Sequence, residues 1–362
     1  MQGVAASIWR VSRRFTRTEA LTVAAAAVLA LLAGVLALAD VANTVVFLVS
    51  ALALVVLAWI VGVATEQLGV VSGPKVGGLL NATFGNAAEL IITIFAIDQG
   101  QIDVAKASIT GSILGNTLLV LGASFLIGGV RNGLQRFDRR IAGMNASMLA
   151  LAVIGLALPT AFHAAGHTRS SQSVSDATAA ILLLLYVLML VFYFRSPQAS
   201  GATPEHAGER SWAAWLSIVT LLAATGAVAV VADVFVGTLQ QVIVDLGVSA
   251  VFLGLVIVPL VGNIAENIVG IKIAWQNDMD FSMAVSLGSS LQIALGVAPL
   301  LVFVSLLTPH SFSLVFPTIQ VLALAVAVFI TALIAADGES NWLEGAQLMA
   351  VYGIAAAAFW YL

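Results

Sequence analysis

The feature that most constrains this chain is a succession of apolar segments, each about as long as a bilayer is thick. A transmembrane helix needs about 20 mostly apolar residues to cross the hydrocarbon core. Eleven such segments follow one another along the chain, at 19–39, 43–65, 75–97, 104–129, 139–161, 176–194, 212–236, 248–275, 281–307, 313–335 and 341–362. The sequence therefore predicts an all-α polytopic membrane protein with eleven transmembrane helices.

The composition excludes several other classes of protein. Only 9% of the 362 residues are Asp, Glu, Lys or Arg, whereas a soluble domain carries about 25%. So few charges cannot cover the surface of a soluble enzyme, and they also exclude a disordered chain. No nucleophile–base pair or phosphate-binding motif is apparent, so we expect no enzyme. The net charge of −4 gives no sign of a nucleic-acid partner.

The absence of cysteine restricts any metal site. With no thiolate in the chain and only four histidines, a bound metal must be held chiefly by oxygen. No resident cofactor is expected.

The basic residues predict the orientation of the helices. Cytoplasmic loops of membrane proteins are enriched in Lys and Arg. If the N-terminus is cytoplasmic, only Lys106 and Arg169 of the 14 basic residues fall outside. The others fall inside: Arg10, Arg13, Arg14, Arg17, Lys75, Arg131, Arg136, Arg139, Arg140, Arg195, Arg210 and Lys272. We therefore predict a cytoplasmic N-terminus and an outer C-terminus, and the short loops favour a prokaryotic plasma membrane.

An internal repeat divides the chain. Residues 85–89 read GNAAE and residues 262–266 read GNIAE, 177 positions later, and the same offset pairs Ser112 with Ser289. The predicted organisation is an N-terminal cytoplasmic segment with the first helix (1–42), a five-helix repeat (43–195), a polar cytoplasmic linker (196–211) and a second five-helix repeat (212–362). Because five is odd, the repeats have inverted topology, which is typical of secondary transporters and also occurs in channels.

Two glutamates carry the predicted chemistry. Glu89 and Glu266 fall in the middle of predicted helices, where an acid is costly and is by default functional. Asn86 and Asn263 each precede a glutamate by three residues and so share its helix face. These oxygens suit a divalent cation such as Ca²⁺. Without the cation, burial and mutual repulsion favour protonation of the glutamates, so cation and protons compete.

The helix that follows each motif adds polar residues. Ser108, Ser112 and Asn116 recur every four residues on one helix, and Ser286, Ser289, Ser290 and Gln292 lie on the other. Ser112, Ser289 and Gln292 are candidates for the ion path. Small and polar residues also join helices in membranes, and the pair Gly111 and Gly115 favours that alternative.

Three stretches of sequence resemble a known family. They are GGLLNATFGNAAELIITIFAI (77–97), GSILGNTLLVLG (111–122) and VPLVGNIAENIVGIKIAWQNDMDFSMAVSLGSSLQIAL (258–295). They resemble the two conserved regions of the Ca²⁺/H⁺ antiporter (CAX) family of the calcium/cation antiporter superfamily. The resemblance implies eleven helices, namely a first helix followed by inverted five-helix repeats. It also implies essential roles for Glu89 and Glu266, with Asn86 and Asn263 as motif asparagines and with Ser112, Ser289 and Gln292 along the ion path.

The chain departs from the family pattern at several points. Asn267 stands where most members have His, and Gly115 stands where many have Ser. The acidic segment common between the two halves is reduced to Glu205 and Glu209. Sodium/calcium exchangers of the superfamily typically have a further acid on a helix after a motif glutamate, and this chain has no midspan carboxylate there.

The leading hypothesis is a secondary antiporter that exports Ca²⁺, or another divalent cation, in exchange for H⁺. The alternatives are a Na⁺/Ca²⁺ exchanger, a passive cation channel and a membrane scaffold that transports nothing. The expected partners are the transported ions and the lipid bilayer.

Overall fold

The computed structural model describes residues 14–39, 41–168, 170–195 and 212–362. Several sequence predictions fall outside these ranges. They are the cytoplasmic linker at 196–211, most of the basic N-terminal segment with Arg10 and Arg13, and the placement of Arg169 and Arg210.

The described chain is almost entirely helical. The helices of the first half are α1 (Arg17–Leu38), α2 (Asn43–Ser72), α3 (Pro74–Phe84), α4 (Ala87–Asp98), α5 (Ile102–Leu114), α6 (Leu121–Asn132), α7 (Arg139–Ala164) and α8 (Ser171–Arg195). Those of the second half are α9 (Ala214–Leu246), α10 (Ala250–Phe252), α11 (Val258–Gly262), α12 (Ile264–Trp275), α13 (Met279–Gln292), α14 (Ala298–Val304), α15 (Thr318–Ile334) and α16 (Trp342–Trp360).

Short irregular elements complete the described chain. Three π-helical segments, Gly115–Val120, Leu253–Ile257 and Ile293–Val297, join consecutive helices, and a 3₁₀ turn covers Ser305–Leu307. Two short strands, β1 (Gln135–Arg136) and β2 (Glu339–Ser340), pair antiparallel, and Arg136 forms an ion pair with Glu339 at 3.1 Å.

Many of these helices can cross a membrane. Within the described residues, nine helices are long and apolar enough, and a tenth results if Ala250–Gly262 and Ile264–Trp275 form one bent span. α15 is equally apolar in character but has only 17 residues. The sequence places the start of this helix at residue 313, whereas it begins at Thr318, after Pro317. The extended residues before it bond to side chains, since the backbone N–H groups of Leu314 and Phe316 donate to Ser175 and Thr160.

Both predicted motif helices are interrupted, and at equivalent positions of the repeat. The first has a turn at Gly85 and Asn86, between α3 and α4. The second, predicted over 248–275, bends by 67° between Gly262 and Ile264. Pro259 lies shortly before this bend; it cannot donate to the carbonyl four residues earlier, and its ring crowds that carbonyl. That carbonyl belongs to Leu255, which lies in a π-helical segment.

The described residues form two compact units. The first contains the residues up to Ile92, those between 212 and 247, and Val261–Ala265. Within it, α2 packs along α1, α3 and α9, and Phe47 stacks on Phe235 with ring centroids 5.0 Å apart. The buried indole of Trp212 donates to Glu19 at 3.2 Å and so fixes the start of the α9 region to α1.

The second unit contains the other described residues, Thr93–Arg195, Val248–Leu260 and Glu266–Leu362. At its centre α5 crosses the π-helical segment Leu253–Ile257 almost backbone to backbone. A methyl group added at Gly111 would overlap the backbone of Leu255, and one at Gly254 would lie 2.7 Å from the carbonyl oxygen of Val104. This crossing therefore depends on two glycines.

We predict that Gly111→Ala lowers the stability of the protein markedly. Its methyl group would meet backbone atoms that cannot rotate away, and overpacking of this kind costs about 1–3 kcal/mol or more. Gly115→Ala, four residues along the same chain, is the control, because no described atom beyond its own helix lies within 4 Å of the added methyl group. Thermal unfolding in detergent, followed by loss of the monodisperse peak, measures the difference. Equal thermal unfolding midpoints for the two variants would contradict the close crossing of α5 and the segment Leu253–Ile257.

Candidate cation site

The first motif lies at the break between α3 and α4. Asn86 occupies the turn and is 4% exposed, while Glu89 lies in the first turn of α4 and is 0% exposed. The first turn of a helix carries unpaired N–H groups and the positive end of the helix dipole, and both stabilise a carboxylate. The backbone carbonyl of Asn86 accepts the N–H of Leu90 at 2.9 Å, so the asparagine begins the helix that carries the glutamate.

The second motif repeats this arrangement. Asn263 occupies the bend between α11 and α12 and is 2% exposed, and Glu266 lies in the first turn of α12. Glu266 is partly exposed, in contrast to Glu89. Each glutamate therefore lies in the first turn after an irregular point in a longer apolar helix, which is a two-residue turn in the first motif and a 67° bend in the second.

The turn of the second motif lies close to the first motif inside the first unit, although the two are 177 positions apart in the sequence, whereas Glu266 belongs to the second unit. A methyl group added at Gly262 would lie 3.4 Å from Cα and Cβ of Glu89 and 3.5 Å from its backbone nitrogen. On another side of the same turn, a methyl group at Gly62 of α2 would lie 3.0 Å from Cβ of Ala265. The turn of the second motif is thus packed between the first motif and α2.

The second unit joins the polar helices that follow the motifs. Asn116, in a π-helical segment, donates through Nδ2 to Oγ of Ser289 on α13 at 3.0 Å. Oγ of Ser108 on α5 lies 3.5 Å from the hydroxyl of Thr93 on α4. Of the three predicted path residues, Ser112 and Ser289 are buried and Gln292 is partly buried.

Sequence reasoning missed the π-helical segments at Gly115–Val120 and Ile293–Val297, which occupy equivalent positions of the repeat. A π-helical turn departs from regular α-helical hydrogen bonding and is frequent at functional sites. Only Pro299, which follows the second segment, could have indicated such a departure, because it removes one helical donor.

The described residues contain no group of three or more His, Cys, Asp or Glu side chains that could hold a metal ion. The donors at the motifs are one carboxylate and one amide each, with hydroxyl groups on the following helices. These are hard oxygen donors, which suit Ca²⁺ in particular because it accepts amide and backbone carbonyl oxygens as well as carboxylates.

Long apolar helices broken at paired polar motifs define the class of the protein. Discontinuous membrane helices of this kind hold the ion and substrate sites of secondary transporters. The chain belongs to the family described as sodium/calcium exchanger protein, whose model matches residues 42–195 and 216–361. It is an integral membrane protein of a transporter family, and the resemblance predicted from the motifs is confirmed.

Relatives with assigned names cover most of the chain. It is 41% identical over 340 residues to a Ca²⁺/H⁺ antiporter of Synechocystis sp., which covers 88% of this chain and 91% of the relative. It is 40% identical over 326 residues to the Ca²⁺/H⁺ antiporter ChaA of Bacillus subtilis, which covers 88% and 93%. The solved structure of native YfkE is 37% identical and superposes with a TM-score of 0.82, covering 94% of this chain and all of that one.

Proposed function

We propose that this protein is a secondary antiporter that exports Ca²⁺ in exchange for H⁺ by alternating access. The observation that carries the proposal is the close approach of Gly262 of the second motif to the backbone of Glu89 within the first unit. The relatives named as Ca²⁺/H⁺ antiporters support the choice of ions.

Glu89 and Glu266 are the proposed cation ligands, together with the amide oxygens of Asn86 and Asn263. Two carboxylates neutralise one divalent cation, and the amides add neutral oxygen ligands without adding charge. Ser112, Ser289 and Gln292 are proposed to line the path of the ion, where their polar groups can replace part of its hydration shell.

The coupling follows from competition for the same oxygens. When the cation leaves, two carboxylates remain in an apolar environment, and desolvation favours their neutral, protonated forms. A cation that returns must displace those protons. Either the cation or the protons therefore neutralise the glutamates. Because the two cannot bind at the same time, the flux of Ca²⁺ is coupled to the flux of H⁺.

The proposed architecture is one extra N-terminal helix and two inverted five-helix repeats, eleven spans in all. It counts α15 as a span and α3 with α4 as one interrupted span. Support comes from the equivalent breaks at Asn86 and Asn263 and from the family match over 42–195 and 216–361. The distribution of basic residues favours a cytoplasmic N-terminus and an outer C-terminus, in a prokaryotic plasma membrane.

A Na⁺/Ca²⁺ exchanger is the second candidate, favoured by the description of the family. The lack of a midspan acid on the helices after each motif argues against this candidate. Within residues 102–132 and 279–304, the only carboxylates are Asp103 and Asp280, and both lie in the first turn of their helix. Several Na⁺ ions would meet too little negative charge to offset their desolvation.

We predict that Glu89→Gln and Glu266→Gln each reduce Ca²⁺ uptake into proteoliposomes to the background of protein-free vesicles. Loss of one charge leaves the divalent cation under-neutralised, and glutamine takes up no proton. Glu66→Gln makes the same chemical change at an exposed glutamate of α2 and should leave uptake unchanged. Uptake at the wild-type rate by either motif variant, with correct insertion, would exclude that glutamate from the site.

We also predict that a pH gradient drives Ca²⁺ flux and that a Na⁺ gradient does not. Apparent Ca²⁺ affinity should rise with pH, because protons and Ca²⁺ compete for the same carboxylates. The measurement is Ca²⁺ flux in liposomes under a pH gradient, compared with a Na⁺ gradient while an ionophore holds the pH equal on both sides. Strong flux under the Na⁺ gradient alone would favour the second candidate, and flux with no counter-ion would indicate a channel.

A further inference from the structure

We propose that the side-chain oxygen of Asn267 is a further ligand of the transported cation, supplied by the second half of the chain alone. The inference rests on the proposed function and adds a residue that the paired motifs do not contain. It starts from Oδ1 of Asn267, which is buried and which no described residue reaches with a hydrogen-bond donor. Buried amide oxygens without a donor are rare in proteins, because such an atom loses water and gains nothing.

The position of Asn267 on α12 connects this oxygen to the motif. It directly follows Glu266 and lies four residues after Asn263. Glu266 and Asn267 lie side by side in the first turns of α12, directly after the bend that holds Asn263, and together they form a polar face of this helix. Asn267 is thus beside the carboxylate that is proposed to hold the cation.

The packing around Gly270 shows which elements contact this face of α12 inside the second unit. Gly270 lies four residues after Glu266 and three after Asn267, so it belongs to this face. A methyl group added at Gly270 would lie 3.3 Å from the side chain of Val120 and 3.7 Å from Oγ of Ser286. The polar face is therefore directed toward the π-helical segment that carries Asn116 and toward the serines of α13.

The repeat supplies no matching amide in the first half. The position 177 residues before Asn267 is occupied by Leu90, which has no side-chain oxygen. The proposed coordination is consequently asymmetric. Because no equivalent residue can replace the lost oxygen, a single substitution at Asn267 exposes its contribution.

An amide ligand has a signature that differs from that of a carboxylate. It is neutral at every accessible pH, so it adds to cation affinity without changing the number of protons that compete. Removing it should weaken Ca²⁺ binding by the same factor at each pH. A substitution that merely disturbed Glu266 would instead alter the pH dependence of binding.

The test is calorimetric Ca²⁺ binding to the purified full-length protein in detergent at two pH values, with Asn267→Leu as the first variant. We expect its Kd to rise about tenfold at both pH values, as for the loss of one good polar contact to a charged ligand. Asn145→Leu is the control, since Asn145 is a buried amide whose oxygen accepts from Tyr193 at 2.9 Å. It should bind Ca²⁺ as the wild type does.

Asn267→Asp is the second variant, and it provides the test if Asn267→Leu does not fold. It preserves the shape and the oxygen but adds a third titrating carboxylate, so Ca²⁺ affinity should depend more steeply on pH than in the wild type. A Kd within twofold of the wild type for Asn267→Leu, or an unchanged pH dependence for Asn267→Asp, would overturn the inference. Failure of the wild type to bind Ca²⁺ would instead contradict the proposed function.

Discussion

The stabilisation of a carboxylate within an apolar helix bundle is the constraint on which the structure depends. A helix that runs unbroken offers a mid-helix glutamate no free N–H groups, because each is bonded within the helix. This chain interrupts both motif helices, so Glu89 and Glu266 each stand in the first turn of a new helix. The positive end of that helix then partly offsets the charge. In both copies of the motif, the irregular point in the helix and the glutamate occur together, because the start of the new helix stabilises the carboxylate.

The breaks create a second requirement, since a backbone that leaves the helix must be enclosed by protein at membrane depth. Glycines meet this requirement by allowing the backbones to approach. Gly262 lets the turn of the second motif lie on Glu89, and Gly62 lets α2 cover Ala265. In the second unit, Gly111 brings α5 onto the backbone of Leu255, which precedes the same break. A few small residues thus connect the broken helices to their neighbours.

Much of this was accessible from the sequence, because it depends on local composition. Apolar length predicted where helices lie, and the repeated GN(A/I)AE motif predicted which acids are unusual. The size of the 67° bend at Asn263 and the π-helical segments were not predicted, because they depend on how each helix packs against others. The pair Gly111 and Gly115 favoured a role in helix packing, yet of the two only Gly111 is closely approached. Similarly, the polar stripe predicted Ser289 as a path residue but not its hydrogen bond with Asn116.

In the proposed exchange, Ca²⁺ and protons occupy the same carboxylates in turn. Proton release on Ca²⁺ binding tests it most directly, measured with a pH indicator in a weakly buffered detergent solution of the purified protein. We expect release of about one to two protons per bound Ca²⁺ at acidic pH, and fewer as the pH rises, because the carboxylates then lose their protons beforehand. Saturable Ca²⁺ binding that releases no protons at any pH would contradict it.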